Sequence, residues 1–290
     1  MKKKTEVQKI DLHIHSVISD GTDTPEEILS KVRAAGIGLF SVTDHDAVKA
    51  CPLIKRKLGE DDPLFLSGVE LSCKDELGKY HILGYGYDEN ARMINDLVET
   101  GHRLRIEKLG KRLDLLKSLF GFSFSKGDVD SLYARDNPGK PHLANLMVQY
   151  GFAKDKEEAF SSYLSHLHVS SVYVHPAEAV TAILQSGGIP ILAHPSYGSG
   201  EELIVGEAME ARLKRLIGFG IKGVEAFYSR FSDEMQNEIL SLAEKYDLYV
   251  TAGSDYHGKN KKVRLGENKL PDAMQGPRGL RRFLEEVPLR

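Results

Sequence analysis

The sequence predicts an α/β protein whose strands curl toward a barrel. Three observations carry that expectation. Short apolar runs alternate with amphipathic helical stretches about seven times, which implies a largely parallel sheet with right-handed crossovers. No Gly-x-Gly-x-x-Gly stands between a first strand and the helix after it, where an open dinucleotide-binding sheet would need one. The alternation breaks once, over 91–171, where the signals are helical, and this block reads as an insertion into a barrel made of 1–90 and 172–290.

The elements follow in order. "QKIDLH" is a short buried strand. "TDTPEEILSKVRAAG" is a helix with Thr24 as N-cap, Pro25 at the first helical position and Glu27 completing a capping box. Ile28, Leu29, Val32 and Ala35 form its apolar stripe, and Gly36 stops it. "LFSVTDH" is the next strand, and a helix is expected across Ala47–Leu58 despite Pro52. "PLFLSGVEL" and "KYHILGYGYD" are two further strands. In the helical block, "MINDLVETGHRLRIEKLGKRLDLLKSLFG" is long, amphipathic and basic, and "PHLANLMVQYG" and "KEEAFSSYL" are shorter pieces. Alternation then resumes: helix Pro176–Gln185 to strand "IPILAH", helix Glu207–Gly218 to strand "IKGVEAF", helix Asp233–Lys245 to strand "LYVTAGSD". The tail after Lys259, rich in Gly, Pro and Lys, is expected to be irregular.

Composition narrows the class. With 41% hydrophobic and 28% charged residues over 290 positions, the chain has enough apolar material for a large core. A net charge of −3 shows no global basic excess of the kind that marks nucleic-acid binders. Two cysteines, Cys51 and Cys73, with no Cys-x-x-Cys pair, fit a reducing cytoplasm rather than a disulfide framework. "MKKKTEVQKI" has no apolar run behind it, so it does not read as a signal peptide, and no stretch is long and apolar enough to span a membrane.

Eleven histidines matter more for where they fall. His13 and His15 follow the first strand; Asp44, His45 and Asp46 follow the second; Glu70 ends the third; His81 lies in the fourth. His194 ends "PILAH", Glu225 ends "KGVEA", and Asp255 and His257 follow "YVTAGS". In parallel α/β architectures the carboxyl ends of strands share one face, so these groups converge. One strand-end histidine usually caps a carbonyl. A whole set of imidazoles and carboxylates points to metal instead. His-x-His on an extended strand puts both rings on one side, toward one ion.

Taken together, "DLHIHSVISDG", "VTDHD", "GVELS", "AHP" and "GSDYHG" resemble, in order, the motifs of the polymerase and histidinol phosphatase (PHP) superfamily. The middle segment "GKPHLANLMVQYGFAKDKEEAFSSYL" resembles the helical insertion of the branch that acts on nucleoside 3′,5′-bisphosphates and short RNA 5′ ends. The resemblance implies a distorted (β/α)7, TIM-like barrel with a helical substrate cap. It implies two or three divalent ions, Mn2+, Fe2+ or Zn2+. His13, His15, Glu70 and Asp255 would hold one, Glu70 with His81 and His194 a second, and Asp20, His45 and His257 a third. Arg105, Lys140 and His142 match phosphate-binding positions, and His194, Glu70, Asp255, Arg105 and His142 would be catalytic. Asp44 and Asp46 would orient ligands. The chain departs from the family where Lys140 and Asn145 replace arginines and where His102 stands at a common upstream arginine. Lysine is a point charge and cannot grip a phosphate with two parallel bonds.

The expected chemistry is hydrolysis of a phosphate monoester of a small nucleotide or of short 5′-phosphorylated RNA, by in-line attack of a metal-bridging hydroxide. A phosphatase for histidinol phosphate or a sugar phosphate is an alternative, as is a non-catalytic metal-binding module. C–N hydrolysis on a related barrel usually needs a lysine bridge between metals, and no strand-end lysine offers one. No membrane and no stable protein partner is implied.

Overall fold

The computed structural model describes residues 3–169, 173–197 and 203–289. It is α/β, with its strands in two sheets. β1 (Ile10–Asp11), β2 (Leu39–Phe40) and β3 (Leu64–Phe65) are short and parallel, in the order β1-β2-β3. β4 (Gly68–Asp75), β5 (Gly78–Tyr85), β6 (Ile189–Leu192), β7 (Gly223–Tyr228) and β8 (Tyr249–Gly253) form the second sheet in that order.

The ladders do not make one closed parallel barrel. β4 pairs antiparallel with β5, and β5 antiparallel with β6; only β6, β7 and β8 run parallel. The reason is local: only Glu76 and Leu77 separate β4 from β5, and so short a link allows a hairpin but no crossover. The two sheets are nevertheless stitched together by backbone bonds at both seams. Leu12 N donates to Ala252 O at 3.0 Å, Asp255 N to His13 O at 2.8 Å and His15 N to Tyr256 O at 2.8 Å. On the other side Asp46 N donates to Glu70 O at 2.9 Å and Glu70 N to Asp44 O at 3.2 Å. These seams run through the residues singled out above as metal ligands.

α1 (Pro25–Ala34) starts as its sequence dictates. Thr24 Oγ1 accepts from Glu27 N at 3.2 Å, and Glu27 Oε2 accepts from Thr24 N at 2.7 Å. α2 (Ala50–Lys55) is shorter than expected, with Pro52 in its first turn. α3 (Arg92–Phe120) is the long basic helix, ended by Gly121 at φ 73°. α4 (Lys126–Tyr133), α5 (Lys140–Gln149) and the short α6 (Lys156–Glu158) follow, and α6 runs into a π-helical turn, Ala159–Leu164. α7 (Pro176–Gln185), α8 (Gly206–Phe219) and α9 (Asp233–Lys245) are the resumed crossovers. Gly218, Gly220 and Gly223 do show dinucleotide-loop spacing, but they lead from α8 into β7, the reverse of the strand-to-helix turn that binds a pyrophosphate.

The tail is not irregular throughout: Arg278–Glu286 forms α10, with Leu280, Phe283 and Leu284 buried. Its apolar spacing was legible, but the flanking Gly and Pro masked it. Phe283 meets Tyr85 and Tyr249 edge-on, at ring centroids 5.6 and 6.0 Å apart.

Among the described residues, three apolar clusters hold the fold. One packs the second sheet against α7–α10, through residues such as Ile183, Ile191, Val224 and Val250. A second packs α1 and α2 on the first sheet through Ile28, Phe40, Val42 and Phe65. The third, with Leu109, Leu143, Met147 and Leu164, is drawn from 109–169 alone. The expected boundary at 171/172 lies outside the described residues.

Gly68 sits where the sheets meet; a Cβ there would come within 2.0 Å of Ser41 Oγ and 2.7 Å of Thr43 Cγ2. Gly68→Ala is expected to lower stability by roughly 1–3 kcal/mol, read as a lower urea midpoint with unchanged slope.

Candidate metal centre

Glu70, on β4 and 1% exposed, lies at the middle of the converging side chains. Its Oε2 is 3.3 Å from His13 Nε2, 3.2 Å from His15 Nε2 and 3.0 Å from His45 Nδ1. Its Oε1 is 2.8 Å from His81 Nδ1 and 3.2 Å from His194 Nε2. Asp255 Oδ1 lies 3.4 Å from His15 Nε2 and 3.7 Å from His13 Nε2. Asp20 Oδ1 lies 3.2 Å from His257 Nε2, and Asp20 Oδ2 3.9 Å from His45 Nε2. The structure therefore gathers every expected ligand.

It groups them somewhat differently from the family-based expectation. The compact donor sets are His13–His15–Glu70, His45–Glu70–His81 and His15–Asp20–His45–His257. His15 and His45 each belong to two sets. Asp255 and His194 stand at the edge of the first and second.

The donor atoms fit a cation better than they fit one another. His45 Nδ1 and Glu70 Oε2 are buried and close, yet neither has a hydrogen-bond partner, and His194 Nδ1 is also without one. His13 Nε2 and His15 Nε2 face each other at 3.1 Å. Burial works against the charged forms of Glu70, Asp20 and Asp255, but neighbouring groups hold all three well below the carboxylate range: His81, His45 and His13 around Glu70, His257 and His45 beside Asp20, and Lys261 and His257 beside Asp255. Burial at the same time pushes His45, His81 and His257 below the imidazole range, toward the neutral ring that a cation needs. Burial likewise opposes charge on His13 and His15. There the carboxylates win, raising His13 well above the imidazole range and His15 to about 9. Imidazole with carboxylate is a donor set for Mn, Fe or Zn.

An outer layer fixes these rings. Glu225 Oε1 is 3.0 Å from His13 Nδ1, which leaves Nε2 for the centre, and Glu225 Oε2 accepts from His194 N at 2.9 Å. His257 Nδ1 faces Asp255 O at 2.9 Å. Tyr228 OH and Lys261 Nζ donate to Asp255 Oδ2 at 2.8 and 2.5 Å, turning Oδ1 toward the histidines. Asp44 accepts from Ser16 N at 2.8 Å and Ser19 Oγ at 2.6 Å. Asp46 (φ 44°), His194 (φ 25°) and Asp255 (φ 57°) hold left-handed backbone that such residues rarely adopt. Gly253 permits the approach, because a Cβ there would lie 2.2 Å from His13 Cβ.

A cavity of about 210 Å³ opens beside the cluster, reaching Asp20, His45 and His81 on one side and α3 and α5 on the other. Arg105 lines it, held by Asp46 Oδ2 at 2.6 Å and Ser72 Oγ at 2.7 Å, and Lys140 lines it too. His142 does not line it: the ring is buried, Nδ1 accepts from Gly139 N at 3.1 Å, and burial with Arg135 nearby pushes it down to about 4. Asn145 is exposed, and His102 Nδ1 contacts Asp136 O at 2.5 Å. Lys108, Arg112, Asn137 and Tyr173 line the cavity without having been expected. Arg105, Lys108 and Arg112 share one helical face, a signal present in the sequence. Asn137 and Tyr173, on loops, gave none.

Comparison with known proteins bears on the chemistry. No family model matches the sequence. A 5′-3′ exoribonuclease of Haemophilus influenzae is 25% identical over 267 residues, covering 90% of this chain and 94% of its own. A 3′,5′-nucleoside bisphosphate phosphatase of Chromobacterium violaceum is 28% identical over 258 residues, covering 86% and 87%. A phosphoribosyl 1,2-cyclic phosphate 1,2-diphosphodiesterase of Eggerthella lenta is 28% identical over 276 residues, covering 86% and 94%. Among solved structures, a Bifidobacterium adolescentis chain assigned to the metal-dependent phosphoesterases superposes with a TM-score of 0.81 at 27% identity, covering 92% and 94%. The chain is a metal-dependent phosphoesterase, similar over most of its length to these enzymes. An amidohydrolase of Chromobacterium violaceum, solved with bound sulfate and no metal, superposes on this phosphoesterase with a TM-score of 0.78 at 26% identity, covering 88% and 90%. The phosphoesterase uses divalent metal, and the three donor sets around Glu70 and Asp20 can seat it; a fourth group among the described residues, Asp75, Glu76 and His175, lies apart from them. No helix among the described residues is long and apolar enough to cross a membrane.

Two outcomes follow from this geometry. Glu225→Gln is expected to weaken metal affinity roughly 10–100-fold, measured by chelator competition, while the fold is kept. His15 is raised from 6.5 to about 9, so its proton stabilises the metal-free fold fully below 6.5 and that stability is lost as pH rises through about 9. Calorimetry in buffers of different ionisation enthalpy should accordingly show metal binding at neutral pH displacing on the order of two protons.

Proposed function

We propose that this phosphoesterase removes a phosphate from a small nucleotide, such as a nucleoside 3′,5′-bisphosphate, or acts at the 5′ end of short RNA, with two or three divalent ions. The observation that carries the reading is the central place of Glu70, both of whose oxygens face imidazoles delivered by different strands. A carboxylate so placed would help hold more than one ion. Bound Mn2+, Fe2+ or Zn2+ would neutralise the phosphate and supply a water nucleophile at neutral pH.

The chain's own residues do the remaining work. Arg105 is fixed by Asp46 and Ser72 before substrate arrives, so a phosphate meets an oriented guanidinium. Asp255 has one oxygen committed to Tyr228 and Lys261, which leaves the other for the centre. A second cavity, on the side of Asp20 and His257, is lined by Phe160, Lys156 and Asn260 and has room for the departing part of the substrate. The name of the amidohydrolase neighbour favours C–N cleavage, but the place between the donor sets is taken by the Glu70 carboxylate, whose two oxygens face imidazoles on both sides.

The same reading treats the two stitched sheets as halves of a distorted (β/α)7 barrel and 91–171 as a substrate cap, supported by its separate apolar cluster. Buried, unpaired Cys51 and Cys73 support a cytoplasmic setting.

A phosphate-release screen with Mn2+ tests the proposal. Adenosine 3′,5′-bisphosphate and short 5′-phosphorylated RNA should outperform histidinol phosphate and sugar phosphates. His194→Ala should abolish turnover without unfolding the protein; near-wild-type turnover in that variant would overturn the role given to the cluster.

A further inference from the structure

One turn of chain after β8, 257–261, joins the donor sets to the inserted helices. It begins with the ligand His257, and Lys261 Nζ at its end donates to Asp255 Oδ2 at 2.5 Å. Between them, Asn260 Nδ2 donates to Asp20 O at 2.6 Å, and Asn260 Oδ1 accepts from Lys156 Nζ on α6. Thr22 fixes the turn, its Oγ1 accepting from Lys259 N at 2.9 Å. Position 258 requires glycine: φ is 63° there, and a Cβ would come within 2.0 Å of Thr22 Oγ1. Asp20 leans on this turn in a way the other carboxylates do not. Glu70 and Asp255 are tied by the backbone bonds of the seams, whereas Asp20 lies in the loop before α1, where Asn260 holds its carbonyl.

We propose that Asn260 is a positioning residue that couples the docking of the inserted helices to the ion seated by His15, Asp20, His45 and His257. The inference rests on the metal-centre reading and deepens it: affinity for this one ion depends on whether α6 is in place. The neighbours of Asn260 dictate how its amide lies. An ammonium can only donate and a backbone carbonyl can only accept, so Oδ1 faces Lys156 and Nδ2 faces Asp20 O. The lysine charge polarises the amide toward Oδ1, which makes Nδ2 the stronger donor to Asp20. Withdrawing Lys156 therefore loosens the Asp20 backbone. The aim of its carboxylate loosens with it, now 3.2 Å from His257 Nε2 through one oxygen and 3.9 Å from His45 Nε2 through the other. Elsewhere the insertion is held by Arg105 to Asp46 and Ser72, and by Asp136 to Lys49, contacts that do not touch Asp20. Lys156 and Asn260 both line the second cavity together with Asp20 and His257, so a molecule entering there meets the bond between them. α6 runs directly into the π-helical turn Ala159–Leu164, a form of helix that recurs at functional sites. Coupling of this kind is reciprocal, so the ion in turn steadies α6.

Mn2+ uptake by the metal-stripped full chain, read by competition with a chelator, tests the coupling. Asp20→Asn first marks which step of the isotherm belongs to this donor set. Lys156→Met and Asn260→Leu should each weaken that step roughly 10-fold and leave the other steps in place. Lys156→Arg, which still donates to Asn260, should match wild type. So should Lys49→Met, which frees the insertion at Asp136 instead. The reverse arm is hydrogen exchange: Mn2+ should slow amide exchange over 156–164 several-fold in wild type but not in Asn260→Leu. Uptake by wild type with a coincident isotherm for Lys156→Met would overturn the coupling alone, as would an equal loss in Lys49→Met. No Mn2+ uptake by wild type would overturn the metal-centre reading and the coupling together. Should Asn260→Leu not fold, Lys156→Met serves both arms.

Discussion

The structure turns on one buried carboxylate ringed by imidazoles. Glu70 is held ionised at the junction of the two sheets, surrounded by His13, His15, His45, His81 and His194. An isolated carboxylate would be neutral in such a place, because desolvation raises its pKa. It remains charged because positive or cation-seeking groups reach it from every side. That requirement explains why imidazoles rather than amides or hydroxyls occupy the surrounding strand ends. It also explains why their nitrogens point at shared positions instead of at hydrogen-bond partners.

The backbone carries the consequence. The bonds that join the sheets, from Asp46 to Glu70 and from Asp255 to His13, belong to the same residues that supply or orient donors. Left-handed backbone at Asp46, His194 and Asp255 is unfavourable, and it persists because these bonds and the neighbouring packing over-determine it. Glu225 adds a second constraint. One of its oxygens sets the His13 ring and the other caps the His194 amide, so a single side chain ties β1 and β6 into one geometry. Rigidity here is chemical preorganisation, since ligands that need not move on binding lose little entropy.

Charge is sorted by depth. The metal-facing side is anionic, through Glu70, Asp20 and Asp255; the α3 side is cationic, through Arg105, Lys108 and Arg112. Two or more bound divalent ions would offset the charge of the first side, and the cavity would then present a positive wall on the α3 side and a neutralised or positive one opposite it to a polyanionic substrate. The homologous enzymes of Haemophilus influenzae and Chromobacterium violaceum, an exoribonuclease and a bisphosphate phosphatase, are named for substrates of that kind.

The sequence by itself determined the class, α1 down to its capping box, the long basic helix and the full set of candidate ligands. Those signals are local: a cap, a period, or a histidine at a strand end. The antiparallel turn of β4 onto β5 was readable from a two-residue link but yielded to the expectation of alternation. α10 was hidden by glycine and proline on its flank. Tertiary structure alone decided that His15 and His45 are shared between donor sets, that His142 caps a helix while Lys108 and Arg112 face the cavity, and that Asn137 is buried with nothing to bond. Each of these depends on which side chains from distant segments meet, and on how burial removes the water that would otherwise satisfy them. Neither quantity is encoded in spacing along a single chain.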